Sequence, residues 1–218
     1  MRSKFLKAAI TTFITCLISI GSANAGLSTF QISMVADNDF ALFSGDENGI
    51  NNLLYQNNVD WYNQVPSIST FDFTLAAGDS KFYVLGMGGG GQENISGLVN
   101  GVNMTSVPVS MSANIAPFLS GYNASAVANG TYDANLLDVQ TAFSNTSWSN
   151  AATNFNNTDI VINAAGFGSG YSFSHLNAHL FSFDAIDVGV EVNPVPAPST
   201  MAIFALGMLG LASRRIKK

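Results

Sequence analysis

Positive charge is nearly absent from the interior of this 218-residue chain. Between Lys7 and Arg214 there is one basic side chain, Lys81, and all 14 Asp and Glu lie between Asp37 and Glu191. One lysine against 14 acids leaves that stretch at −13, although the whole chain is only −6. A surface this acidic repels phosphate backbones, which excludes nucleic acid as a partner. It also offers no basic patch to an anionic lipid surface. Cysteine is scarce as well. Cys16 is the only one, so no intrachain disulfide can staple the fold. Stability must come from a packed core, and the ~165 residues of the acidic body are enough to build one. Long apolar runs are missing from that body and occur only near the two ends.

The first 25 residues read as a secretory signal peptide. Arg2, Lys4 and Lys7 precede an apolar stretch from Ala8 to Ile20, and Ala23-Asn24-Ala25 supplies the small-x-small pattern that a signal peptidase accepts. The apolar stretch is shorter than the ~20 residues a spanning helix needs. Cleavage after Ala25 starts the mature chain at Gly26 and removes Cys16. At the other end, residues 192–198 hold three of the six prolines and read as an extended linker. Residues 199–218 combine an apolar segment with Arg214, Arg215, Lys217 and Lys218. No charge occurs from Val192 to Ser213, so this run is expected to form a transmembrane helix with its basic end cytoplasmic.

Val195-Pro196-Ala197-Pro198-Ser199, then an apolar run, then Arg214-Arg215 resembles the PEP-CTERM sorting tail. The resemblance implies recognition by an exosortase in the inner membrane of a Gram-negative bacterium. Transient anchoring, removal of the tail and delivery to the cell surface or extracellular matrix would follow. The departure from the family pattern is Ala197, where the family name calls for Glu.

Between these ends, residues 26–191 read as one domain dominated by period-2 alternation. Phe30, Ile32 and Met34 alternate with polar residues, as do Phe71, Phe73 and Leu75, and Val107, Val109 and Met111. Lys81–Met87 is a compact apolar run, and Asp159–Ala164 and Tyr171–Phe173 are short strand candidates. Pro108 points to an edge strand. The parity switch between Phe183 and Ile186 predicts a bulge near Ala185. One helix is expected after a cap at Thr131 or Asp133, with Leu136, Leu137, Gln140 and Phe143 as its apolar stripe. A short turn is expected at Ile115–Ser120. Many short strands between Gly and Asn turns predict a mainly β fold, an antiparallel β-sandwich or jelly roll with one or two short helices. Residues 36–43 and 81–85 resemble passages of other PEP-CTERM surface proteins, which implies a galactose-binding-like sandwich.

Few motifs select a chemistry. Gly86 to Gly91 fits G-x-G-x-x-G, but the residues after it make a poor helix and no acid stands about 20 residues on, so a solvent-facing Gly loop is the better reading. His175 and His179 are four apart. On a strand they lie ~13 Å apart, too far to share one zinc ion. A G-x-S-x-G elbow is absent, and no carboxylate spacing selects a glycosidase pair. Asp37, Asp39, Asp46 and Glu47 concentrate hard oxygens and are the candidate calcium ligands. Asx turns explain the same residues. Trp61, Tyr62 and Trp148 are the candidate glycan-stacking residues, beside the amides of Asn63 and Gln64. The expectation is a non-enzymatic exported surface or matrix protein that interacts with exopolysaccharide in biofilm, with no cofactor unless calcium. The alternatives are a purely structural coat protein and a small secreted glycan-active enzyme.

Overall fold

A computed structural model describes residues 28–68, 70–91, 93–153, 163 and 165–192. The expected signal peptide, the linker beyond Val192, the sorting helix and most of the strand candidate at Asp159–Ala164 lie outside the described residues. Within them, no helix is long and apolar enough to cross a membrane.

The fold is mainly antiparallel β, in two sheets. The first has the order β10-β6-β1-β4, with β7 also paired to β6. Its strands are β1 (Ser28–Asp37), β4 (Phe71–Leu75), β6 (Glu93–Val99), β7 (Val102–Asn103) and β10 (Tyr171–Phe173). The second has the order β3-β2-β5-β11-β8-β9. It contains β2 (Asp39–Asp46), β3 (Gly49–Gln56), β5 (Lys81–Met87), β8 (Ser110–Ser112), β9 (Trp148–Asn150) and β11 (Ala178–Asp184). Period 2 decides which residues meet between the sheets. Phe30, Ile32, Met34 and Ala36 of β1 share one core cluster with Phe40 and Leu42 of β2, Phe82 and Val84 of β5, and Phe181 and Phe183 of β11.

A second layer covers the other face of the six-stranded sheet. Ala41, Phe43, Tyr83, Leu85 and Leu180 pack on Ile115, Leu119, Val127, Val139 and Ala142. These come from a 3₁₀ turn at Ala116–Phe118 and the region just before and after it, α2 (Ala124–Ala128) and α3 (Leu136–Asn145). Cover on both faces leaves β2, β5 and β11 buried at nearly every position, and it explains why Lys81–Met87 reads as a compact apolar run rather than a strict alternation.

Local chemistry fixes the connections. Asn100 and Gly101 take φ of 49° and 78° between β6 and β7, the two-residue turn for which Asn-Gly is the preferred pair. The β2–β3 hairpin carries two register shifts that leave Asn51 and Leu54 as extra residues on β3. The bulges bend this edge strand.

Three sequence expectations change. Helix α3 is capped by Asn135, whose side chain accepts from Leu137 N–H, rather than by Thr131 or Asp133. Its buried stripe is Val139 and Ala142, while Leu137 is 68 % exposed. Near Ala185 the chain forms a 3₁₀ turn at Ala185–Val188 instead of a bulge. The turn restores inward parity, so Val188 and Val190 rejoin the core and Ile186 points out. Strand β8 starts at Ser110 and is not an edge, because β9 pairs along its outer side.

Candidate functional site

The candidate aromatic residues occupy two different environments. Helix α1 (Trp61–Gln64) is a single turn capped by Asp60, whose Oδ1 accepts from Asn63 N–H and whose Oδ2 accepts from Asn63 Nδ2. Gln64 anchors the turn from beneath. It is buried, its Oε1 accepts from Ala36 N–H at 2.8 Å, and its Nε2 donates to the carbonyl of Asn38. With Gln64 facing inward, Trp61 and Tyr62 face solvent, 38 % and 73 % exposed. Their rings meet edge to face with centroids 5.6 Å apart. Next to α1 the two sheets leave a narrow crevice of about 30 Å³, walled by Tyr55, Phe71 and Phe73 and by Val59 and Ile68. Trp148, by contrast, is half-buried on β9 and packs edge to face on Tyr83 and Phe143. It belongs to the layer over the six-stranded sheet and is not part of the Trp61–Tyr62 face.

The candidate calcium ligands are split. Asp37 and Asp39 sit at one end of β2 and Asp46 and Glu47 at the other. Seven residues of extended chain put the pairs ~23 Å apart, so no single ion takes all four. Asp46 Oδ1 accepts from the N–H groups of Asn48 and Gly49, an Asx turn closing the hairpin. Asp39 is buried, and its Oδ1 accepts from Asn57 Nδ2 and from its neighbour Phe40 N–H, both at 2.7 Å. Burial outweighs these bonds and pushes the Asp39 carboxyl up to about 8. Among the described residues no three His, Cys, Asp or Glu are grouped to hold a metal ion.

The Gly-rich segment connects β5 to β6, with Gly90 and Gly91 at positive φ. A strand follows it, not the helix that a dinucleotide loop requires. Glu93 Oε1 accepts Gly90 N–H at 2.9 Å, and Gly91 N–H donates to His175 Nδ1 at 2.8 Å. Burial raises the Glu93 carboxyl to about 7, with a contribution from Asp37. Among the described residues, Asn38 Oδ1, Asp39 Oδ2 and Glu93 Oε2 are buried without a hydrogen-bond partner. His179 is buried on β11, its Nδ1 2.9 Å from the Ser112 carbonyl, whereas His175 is exposed.

Sequence reasoning passed over Asn57 and Glu93, and read Gln64 as an amide on the sugar-facing side, whereas it is buried beneath the turn and holds this end of the fold with the other two. Nothing in their spacing separates them from the many other amides and acids. It also gave Lys81 no role beyond its charge, although its isolation among 14 acids was visible.

Comparison with known families settles the C-terminal segment. Residues 194–217 match the PEP-CTERM protein-sorting motif. The chain carries an exosortase sorting signal. A PEP-CTERM tail makes this an exported protein, with a C-terminus held transiently in the membrane before surface display. The match covers the tail alone and leaves the β domain unassigned. No curated protein and no solved structure matches the chain.

Proposed function

We propose that the β domain of this PEP-CTERM protein is a non-enzymatic module displayed on a Gram-negative cell or in its matrix. There it binds exopolysaccharide during biofilm formation. Export through a signal peptidase and an exosortase supplies the location, and the Trp61–Tyr62 face supplies the contact. The observation that carries the reading is two adjacent, exposed aromatic rings on a turn made rigid by Asp60 and Gln64. Aromatic faces pack on the apolar C–H faces of sugars, and a fixed turn spends little entropy on binding. The alternation of successive strands between the sheets, β1 to β2 and β4 to β5 to β6, supports a galactose-binding-like jelly roll as the scaffold.

A glycan array probed with the full chain, with and without chelator, tests this. Wild type binds at least one polysaccharide class. The doubly substituted W61A/Y62A protein binds it about thirtyfold more weakly, from roughly 1 kcal/mol per ring. Binding that depends on added calcium would assign the ion a part in the interaction. Absence of binding in both conditions, or equal binding by the double variant, overturns the reading.

A further inference from the structure

The six-stranded sheet opens on the side away from α1. Strand β8 pairs with β11 only at Met111–Phe181 and Ser110–Ser182, yet β11 runs on to Asp184. Pro108 has no N–H with which to extend the ladder, and the chain turns aside there. The result is a cleft of about 400 Å³, bounded by the Thr105–Ser110 segment, Asn150, the end of β11 and Lys81. That volume falls within the roughly 300–1,000 Å³ of small-molecule sites. Lys81, the one basic residue between Lys7 and Arg214, lies on its wall and pairs with Asp184 across the β5–β11 ladder.

We infer that this cleft binds a neutral saccharide unit, at a site separate from the Trp61–Tyr62 face. Its chemistry selects the ligand by elimination. Lys81 and Asp184 neutralise each other, so a uronate or phosphate entering a body of −13 finds no net positive charge. A cation finds one carboxylate already paired. An apolar ligand would cover the side chains of Ser110 and Asn150, which bond no group among the described residues, and would leave those polar groups unsatisfied. A sugar ring escapes all three penalties. Each of its hydroxyls both donates and accepts, which suits the spare N–H groups of Lys81, the second oxygen of Asp184, the Ser110 hydroxyl and the Asn150 amide. Its C–H face has Val107 and Pro108 to rest on.

Saturation-transfer NMR on the full chain in detergent tests the site. The probes are methyl glucoside, methyl galactoside, methyl mannoside and glucuronate. At least one neutral glycoside should receive transfer, with glucuronate at least fivefold weaker. Lys81→Met and Asp184→Ala should each reduce the signal at least fivefold. Ser110→Phe, which fills the cleft without touching the ion pair, should abolish it, so the test survives if an ion-pair variant fails to fold. W61A/Y62A should leave the signal within twofold, which separates this site from the glycan face proposed above. The inference fails if no neutral glycoside registers, if glucuronate binds as strongly, if the signal survives Ser110→Phe, or if W61A/Y62A alone removes it.

Discussion

Asp79 shows how much one buried acid holds in place. It accepts hydrogen bonds from Asn51 Nδ2 at 2.8 Å, Asn52 Nδ2 at 2.9 Å and the Ser44 hydroxyl. It thereby ties the β4–β5 turn to both strands of the bulged β2–β3 hairpin. Asp79→Ala leaves three donors without their acceptor, and a loss of about 3–5 kcal/mol is expected in urea unfolding. Asp79→Asn keeps the shape but turns a donor toward donors, so its loss should be smaller and still measurable. Gly45 is constrained by space. A β-carbon there would lie 2.0 Å from the Gly49 carbonyl oxygen and 2.9 Å from Ile50 Cα. Both are backbone atoms of the facing strand and cannot rotate away. Gly45→Ala should cost about 3 kcal/mol or prevent folding, read by the same unfolding curve. Ala at the exposed Gly121 would meet no atom within 4 Å, so any loss there comes from its positive φ alone.

At the scale of elements, α3 illustrates a helix placed by its cap and its buried face together. Asn135 Oδ1 accepts Leu137 N–H at 2.8 Å, Val139 and Ala142 face the sheet, and Gln140 Nε2 donates to the Ile50 carbonyl in the bulged strand. Asn135→Ala should cost about 1 kcal/mol, and Val139→Ala about 2–3 kcal/mol. Leu137→Ala should lie within ~0.5 kcal/mol of wild type, because its side chain is exposed. An equal loss for Leu137→Ala and Val139→Ala in thermal melts would contradict this orientation. The apolar stripe expected from sequence included Leu137. A helix read by composition alone cannot tell which of two adjacent leucines faces inward.

For the whole molecule, pH is the informative variable. Asp39 and Glu93 have carboxyls raised to about 8 and about 7 by burial, whereas in the unfolded chain they titrate near 4. Between those limits the folded state holds more protons than the unfolded one, so stability falls as pH rises. Self-repulsion in a −13 body acts in the same direction. Buried His179 opposes it, since its lowered pKa makes the folded state shed a proton below about pH 6.5. The melting temperature should therefore decline from pH 6.5 to 8.5. Asp39→Asn and Glu93→Gln should each flatten that decline, as followed by circular dichroism. The sorting tail makes a second prediction at this scale. Protein released from the cell surface should lack Arg214 and Arg215 by intact mass. Their retention would contradict processing despite the motif at residues 194–217.

The sorting signal at the C-terminal end was legible in the order of its segments. A proline motif, an apolar run and a terminal basic cluster are linear features, and the sorting tail is recognised as a linear signal. The β class was equally legible, because alternation along β1 and β4 follows from one solvent-facing side. What the sequence left open was decided by contacts between residues far apart in the chain. Trp61 and Trp148 are chemically alike, yet Gln64 pulling on Ala36 and Asn38 turns Trp61 outward, while Tyr83 and Phe143 take Trp148 into the second layer. The four acids of the calcium expectation are near neighbours in sequence, but the extended strand between them sets them at opposite ends of the sheet. Lys81 was visible as a lone charge. Only the pairing of β5 with β11, and the departure of β8 at Pro108, gave it Asp184 as a partner and a cleft to face. Neighbours along the chain share chemistry, whereas burial and pairing are fixed by which strands lie side by side.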